Sequence, residues 1–212
     1  ATLGTNLESD NAYRLRQASS LANRGSGTLA AVQARVLALD YVQGAFCVSN
    51  RTASAAVGSG LTLQPHSIAV CVYPSTLTTA QEEELAELLY RHLDPGIYLN
   101  GSTTATVTRS AGYQETVRWY YATSLTVNVI ATVVPDTGYV LGDVSDDVDT
   151  AITDWFTDNA AGGVAIDDLD LEVAIADDVA GVRRVTVTLN GDAFVQPIAT
   201  EWPDLGTVTV TT

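Results

Sequence analysis

The 212-residue chain predicts an α+β fold, made of two small α+β units that each pack helices on a mixed or antiparallel sheet. Two periodicities carry this prediction, because apolar residues recur every three to four positions in some segments and every second position in others. Length is the third observation, since 212 residues suit one large or two small domains. We therefore place an N-terminal domain at 1–112 and an acidic C-terminal domain at 113–212.

The start of the chain predicts two helices. Residues 7–24 are weakly amphipathic, with Ser9 or Asp10 as the N-cap, and glycines end the pattern. Thr28 caps a second helix that extends to about Asp40, in which apolar residues approximate the 3.6-residue period. This helix should bury its apolar side.

A strand pair and a helix follow. From Val42 the apolar period falls to two, which predicts a strand, and a partner strand is predicted at Ser67–Tyr73. A connection rich in Gly, Ser, Ala and Thr joins them as a flexible segment or long hairpin loop. Residues 78–93 then predict a helix, since Thr78 or Thr79 offers an N-cap and leucines fall on one side.

The rest of the chain repeats the order of strand, helices and strand pair. A β-prone run covers residues 115–134, and apolar residues spaced by three or four predict a helix over 139–161. A shorter helix follows Gly162-Gly163 and carries alternate apolar residues up to Ile175. The other predicted strands are Thr103–Arg109, Val182–Leu189 and Val208–Val210.

Charge divides the chain unevenly. The net charge is −15, and all ten basic residues are arginines. Residues 119–212 hold two arginines against sixteen acidic residues, a net charge of −14. Such a field repels phosphate backbones and anionic membranes, so we expect no nucleic-acid or membrane partner, and charged partners should be basic.

Two cysteines, Cys47 and Cys71, are too few for a disulfide framework. They lie on neighbouring predicted strands, so they are either two small buried apolar side chains, the reading we favour, or a disulfide or metal site. Nothing at the N-terminus reads as a signal peptide, and no apolar run approaches the ~20 residues that cross a bilayer. We expect a soluble intracellular product.

Phosphate-cradling loops of the usual kind need a lysine, and the chain has none. Two acidic runs raise a calcium hypothesis, because hard cations prefer several carboxylates. Both runs lie where a helix begins, and acids there usually favour the helix dipole, so we predict no metal and no cofactor. The runs are Asp143, Asp146, Asp147 and Asp149, then Asp167, Asp168 and Asp170.

A hydrolase would use His66 or His92, but neither neighbours a Gly-x-Ser-x-Gly nucleophile motif, so we expect no enzyme and no catalytic residues. His92 ends a predicted helix, where its positive charge would suit the dipole. The aromatic run Trp119, Tyr120 and Tyr121 offers a stacking surface for a ligand. Neighbours on a strand point to opposite faces, so a core residue flanked by interface residues is the alternative.

The opening residues Gly4–Asp10, followed by Tyr13–Arg16, resemble the segment of baseplate J-like proteins in which a Gly-x-x-x-Glu-Ser-Asp run precedes an Arg-x-Arg helix. Further segments are similar to that family in the same order. Val42–Phe46 resembles its Val-x-Gly-Val strand, and Pro65–Val70 resembles its Pro-His-Ser-Ile-x-Val strand. The last similar segments are Pro95–Gly101, Trp155-Phe156 and Gly162-Gly163.

The resemblance implies a structural wedge subunit of a contractile tail or related injection machine. Such a subunit forms a ring with its copies around the tail hub, contacts other baseplate and tail proteins, and belongs to the virion after assembly in the host cytoplasm. The family lends no catalytic residues, and the part that usually precedes the opening motif is missing. An adhesin or carbohydrate-binding module of a virion is the alternative function.

Six residues are the candidate interface positions: Glu8, Asp10, Arg14, Arg16, Trp119 and Tyr120. The first four also form charge pairs at helical spacing, so an ordinary solvated helix predicts the same residues.

Overall fold

The structure is a computed structural model that describes residues 28–93, 96–108 and 112–212. Within these ranges four helices and twelve strands form two compact units, of which the first ends at Thr123 and the second spans Ser124–Thr212. Helices pack on a mixed sheet in the first unit and on a three-stranded sheet in the second. The predicted α+β class is confirmed.

The first unit is built around a five-stranded sheet with a small hairpin beside it. Its elements are α1 (Leu29–Leu37), β1 (Gly44–Asn50), β2 (Ala56–Gly58), β3 (Leu61–Leu63), β4 (Ser67–Tyr73), α2 (Thr79–His92), β5 (Tyr98–Asn100), β6 (Thr103–Thr108) and β7 (Gln114–Tyr121). The sheet order is β1-β4-β7-β6, and β5 also pairs with β4. β4 runs antiparallel to β1 and parallel to β5 and β7. β4 is therefore the central strand.

Side-chain caps begin the two described helices of the first unit at predicted positions. The Thr28 hydroxyl accepts a hydrogen bond from the Ala31 amide at 3.2 Å. The Thr78 hydroxyl accepts from the Gln81 amide, and the Gln81 side chain accepts from the Thr78 amide, which completes a capping box. α1 ends at Leu37 rather than near Asp40.

The connection predicted as a loop contains the β2–β3 hairpin. Ser59 and Gly60 adopt φ angles of 48° and 77° at its turn, the left-handed region that a tight hairpin requires. Three-residue strands give too short an alternation for the sequence to reveal them.

The second unit places two helices on a three-stranded sheet. Its elements are β8 (Thr123–Pro135), α3 (Leu141–Asn159), β9 (Ile166–Asp167), α4 (Asp168–Asp178), β10 (Val182–Leu189), β11 (Phe194–Val195) and β12 (Glu201–Thr211). The sheet order is β10-β8-β12, and β9 and β11 form a separate two-stranded ladder. The β-prone run at 115–134 is thus two strands, and Ile166 lies in β9 rather than in a helix.

Strict alternation in β8 buries Val127, Val129, Ala131 and Val133 against the helices and leaves Ile130 exposed. The predicted face of α3 packs on this row with four side chains: Val144, Val148, Ile152 and Phe156. Full burial of a valine or isoleucine stabilises a fold by about 1.5–3 kcal/mol. This row therefore supplies much of the second core.

The division between the units falls after Thr123, whereas the sequence analysis places it between residues 112 and 113. β7 begins at Gln114 and pairs with both β6 and β4, so its hydrogen bonds tie it to the first sheet. Nothing in the local pattern of residues 115–134 marks which sheet each strand joins.

His92 at the end of α2 meets α1 through Arg35, whose Nη1 donates to Nε2 of the imidazole at 3.2 Å. Desolvation, together with the positive charges of Arg35 and then Arg91, lowers the pKa of His92 from 6.5. The lowered pKa of His92 opposes a positive charge on this ring, so it gives no support to the expectation that this charge serves the helix dipole.

Removing the charge of Arg35 tests this contact. The chain has two histidines, so NMR titration of the full chain follows both rings separately. We expect His92 to titrate below 6.5, and Arg35→Gln to raise the pKa of His92 toward 6.5, because a repelling cation is lost. Arg184→Gln, in the second unit, is the matched control and should leave it unchanged. A wild-type His92 that titrates above 6.5 would contradict the geometry.

Substitution of Gly101 tests the close approach of two backbones in the first sheet. A Cβ at this position would lie 2.5 Å from the Trp119 carbonyl oxygen, so Gly101→Ala must push β7 away. We expect the first unit to lose about 2 kcal/mol or more of its free energy of unfolding. Hydrogen-exchange mass spectrometry should show faster exchange of the β4 amides. Gly58→Ala is the control, since its nearest contact would be Val48 at 3.4 Å.

Candidate interaction surfaces

Four of the six candidate interface residues, Glu8, Asp10, Arg14 and Arg16, lie in residues 1–27, outside the described part of the chain. Their assignment stays a prediction. The structure places the other two, Trp119 and Tyr120, next to each other on β7.

Trp119 lies in the core of the first unit with 0% of its surface exposed. Its ring packs edge-on to Tyr121, with ring centroids 6.1 Å apart. A partner or a sugar cannot reach this ring while the unit is folded. Trp119 is therefore corrected from an interface candidate to a core residue, because β7 turns it toward α1 and α2.

Tyr120 points to the opposite face of the sheet and is half-buried. It pairs in register with Cys71 on β4, so it covers the middle of that face. Tyr121 returns to the helix side, where its hydroxyl donates to the Glu82 carboxylate at 2.7 Å. Burial and this hydrogen bond raise the pKa of Tyr121 well above its usual range. Of the three aromatics, Tyr120 alone lies on the face away from the helices.

Cys47 and Cys71 are both buried free thiols on adjacent strands. The register pairs Cys47 with Val70 and Phe46 with Cys71, so the two side chains leave opposite faces of the sheet. Burial raises the pKa of each thiol to about 12. Protonated, buried thiols on opposite faces behave as small apolar side chains, as the favoured interpretation expects.

A cleft of about 270 Å³ opens in the first unit between the start of α1 and the ends of β1 and β4. Leu29, Ile68 and Ile97 give it an apolar floor, and Arg51 and His66 supply polar walls. His66 adopts a φ of 48° at the start of β4. The cleft therefore combines an apolar floor with one permanent positive charge.

Two buried asparagines fix the chain around this cleft. The Asn50 side-chain amide donates to the carbonyls of Ser54 and Gln64 at 2.7 and 2.9 Å. The Asn100 side chain donates to the Ile68 carbonyl at 3.2 Å and accepts from the Gln64 amide at 3.1 Å. These bonds satisfy backbone groups of Ser54 and Gln64, on either side of the β2–β3 hairpin, and of Ile68 in β4. Both asparagines are explained as structural residues.

The acidic runs of the second unit begin its helices, as predicted. The Asp143 carboxylate accepts from the Val140 amide at 2.8 Å at the start of α3, and Asp167 caps α4 by accepting from the Leu169 amide at 3.0 Å. A hydrogen bond with Asp167 raises the pKa of Asp168. Within the described residues, no three His, Cys, Asp or Glu side chains lie close enough to hold a metal ion.

An exposed apolar surface lies on α4 and the neighbouring ladder. Leu169 and Val173 are 61% and 52% exposed, and Phe194, which pairs with Asp167, is 60% exposed. In the sequence, Leu169 and Val173 alternate with Leu171 and Ile175, and the pattern predicts them as one apolar set. Residues two positions apart lie on opposite sides of a helix, so an alternating apolar pattern in a helix indicates two apolar sides. We call Leu169, Val173 and Phe194 the α4 stripe.

The outer face of the β10-β8-β12 sheet carries mostly threonines around Ile130, which is 44% exposed. On β10, Thr188 pairs with Ile130 and Thr186 pairs with Thr132, and the Thr132 and Thr211 hydroxyls approach each other at 3.4 Å. A polar outer face is ordinary for a sheet that is covered on one side. This outer face is therefore weaker evidence for a specific binding partner than the α4 stripe.

No described helix is long and apolar enough to cross a membrane. Among curated proteins none matches the chain. Residues 127–211 match the family model of the Baseplate J-like protein C-terminal domain, and this stretch lies within the second compact unit. Residues 127–211 are therefore similar to a domain of the baseplate J-like family.

Proposed function

We propose, with residues 127–211 taken as a baseplate J-like C-terminal domain, that the chain is a wedge subunit of a contractile tail baseplate. It forms a ring with its own copies around the tail hub and contacts other tail proteins. It assembles in the host cytoplasm and remains in the virion. The family match is the observation that carries this proposal.

The match has weight because it covers almost all of a unit with its own core. The second unit spans Ser124–Thr212, and its buried cluster from Val127 to Leu189 lies inside the matched residues. A domain with a complete core can present surfaces to neighbours without help from the rest of the chain.

The first unit supports the same family through the placement of two similar segments. Val42–Phe46 leads into β1, and Pro65–Val70 leads into β4, the two strands that pair over seven positions. The similar residues therefore lie at one strand pair, β1 and β4. Proteins that share a fold tend to keep the residues that build such a pair.

We propose further that the chain acts without catalysis. The thiols of Cys47 and Cys71 are buried and protonated, so neither is a ready nucleophile. The His92 ring contacts the Arg35 guanidinium, and desolvation, followed by the positive charges of Arg35 and Arg91, lowers the pKa of His92. Assembly requires only surfaces.

The partners are proteins, because the charge of the second unit opposes other classes. Two arginines against sixteen acidic residues repel nucleic acid and anionic lipid. The alternative of a carbohydrate-binding module loses support, since Trp119, its leading stacking residue, is fully buried.

Deletion of the gene from its parent phage tests the role. We expect tails without a complete baseplate by electron microscopy, because a wedge subunit links its neighbours physically. The full chain supplied from a plasmid should restore baseplates and should be found in purified particles by mass spectrometry. A Gly101→Ala chain, which distorts the first sheet, should restore fewer of them than a Gly58→Ala control. Normal particles without the chain would contradict the proposal.

A further inference from the structure

The α4 stripe cannot be part of the core of its own unit. Each residue turns a helix by about 100°, so Leu169 and Val173 lie roughly opposite Leu171 and Ile175. Leu171 and Ile175 are fully buried against the sheet. α4 therefore presents one apolar side to its own core and a second apolar side outward.

Phe194 extends the stripe beyond the helix. β11 pairs Phe194 with Asp167 and Val195 with Ile166. Ile166 is buried and Val195 packs on the core, so alternation turns Phe194 and Asp167 outward together. Since Asp167 is the N-cap of α4, Phe194 lies beside the residue at which the helix begins.

Acidic side chains border the stripe. On the helical projection Asp170 and Asp177 lie along one edge of Leu169 and Val173, and both are exposed. Glu172, toward the other edge, turns inward and accepts from the Val187 amide at 3.0 Å. The stripe thus offers apolar contacts with a row of free negative charge on one flank.

We propose that the α4 stripe docks a basic amphipathic helix of another baseplate protein. Apolar residues of that helix pack on Leu169, Val173 and Phe194, and its Arg or Lys side chains face Asp170 and Asp177. The inference rests on the proposed assembly role and names the chemistry of one partner. A second copy does not fit this surface, because it would bring two units of net charge −14 face to face.

Binding of a designed peptide to the full chain tests the surface directly. The probe is a fluorescein-labelled peptide of about 18 residues, or five helical turns, with leucines on one face and arginines on the other. A second peptide has the same composition in an order that gives no apolar face. Fluorescence anisotropy measures the Kd of each.

We expect the amphipathic peptide to bind more tightly than its scrambled partner. The double variant Leu169→Ser/Val173→Ser should weaken its binding about tenfold, since two exposed apolar contacts are lost. Asp170→Asn/Asp177→Asn should weaken it too, and more at about 0.1 M salt than at about 1 M, where the screening length falls from roughly 10 Å to roughly 3 Å.

Matched controls distinguish binding of the peptide to the α4 stripe from its attraction to any exposed apolar or acidic residue. Ile130→Ser removes an exposed apolar residue from the outer sheet face, and Asp147→Asn/Asp154→Asn removes two exposed charges from α3. Both should bind the peptide as the wild type does. All substituted positions are exposed, and unchanged circular dichroism spectra confirm folding.

Three outcomes would overturn the inference. Equal binding of the scrambled peptide would leave only non-specific charge attraction, and wild-type binding by Leu169→Ser/Val173→Ser would place the contact elsewhere. Self-association in light scattering that this double variant abolishes would make a second copy the occupant. A negative peptide-binding result would not change the outcome of the gene deletion. Normal particles after deletion would not change the peptide-binding result, so the docking surface and the baseplate role are tested independently.

Discussion

One-sided burial of β8 is the constraint on which the second unit depends. Val127, Val129, Ala131 and Val133 all face the helices, so α3 and α4 must cover that face and the other face must tolerate water. A shift of one residue in register would expose the whole row. Threonines on the outer face and capping acids at the helix starts are consistent with this single requirement.

The first unit meets a different constraint, because β4 is buried on both faces. Ile68, Val70 and Val72 face α1 and α2, while Ala69 and Cys71 fill the side toward Tyr120. Small side chains suit the side toward Tyr120, so packing alone accounts for the buried thiol of Cys71. Buried Asn50 on β1 then holds the residue that follows the short hairpin, and buried Asn100 holds β5 to the start of β4.

Charge and apolar exposure separate possible partners of the second unit. A net charge of −14 resists nucleic acid, anionic lipid and a second acidic unit, whereas the α4 stripe favours an apolar contact. A partner that satisfies both carries apolar and basic side chains on one surface. Acids at the helix starts contribute to that field, yet Asp143 and Asp167 are also explained by the caps they form.

Sequence by itself determined the fold class, the helix cap at Thr28, a second cap at Thr78 or Thr79, the strand bounds Ser67–Tyr73 and Val182–Leu189, and the acidic character of the second unit. These follow from local periodicity and side-chain chemistry, which act over a few residues. Tertiary structure alone decided that Trp119 is buried, that Cys47 and Cys71 lie on opposite faces, that β7 joins the first sheet, and that Leu169 and Val173 face outward. Each of these depends on which distant strand or helix packs on which face, and a local pattern carries no information about that choice.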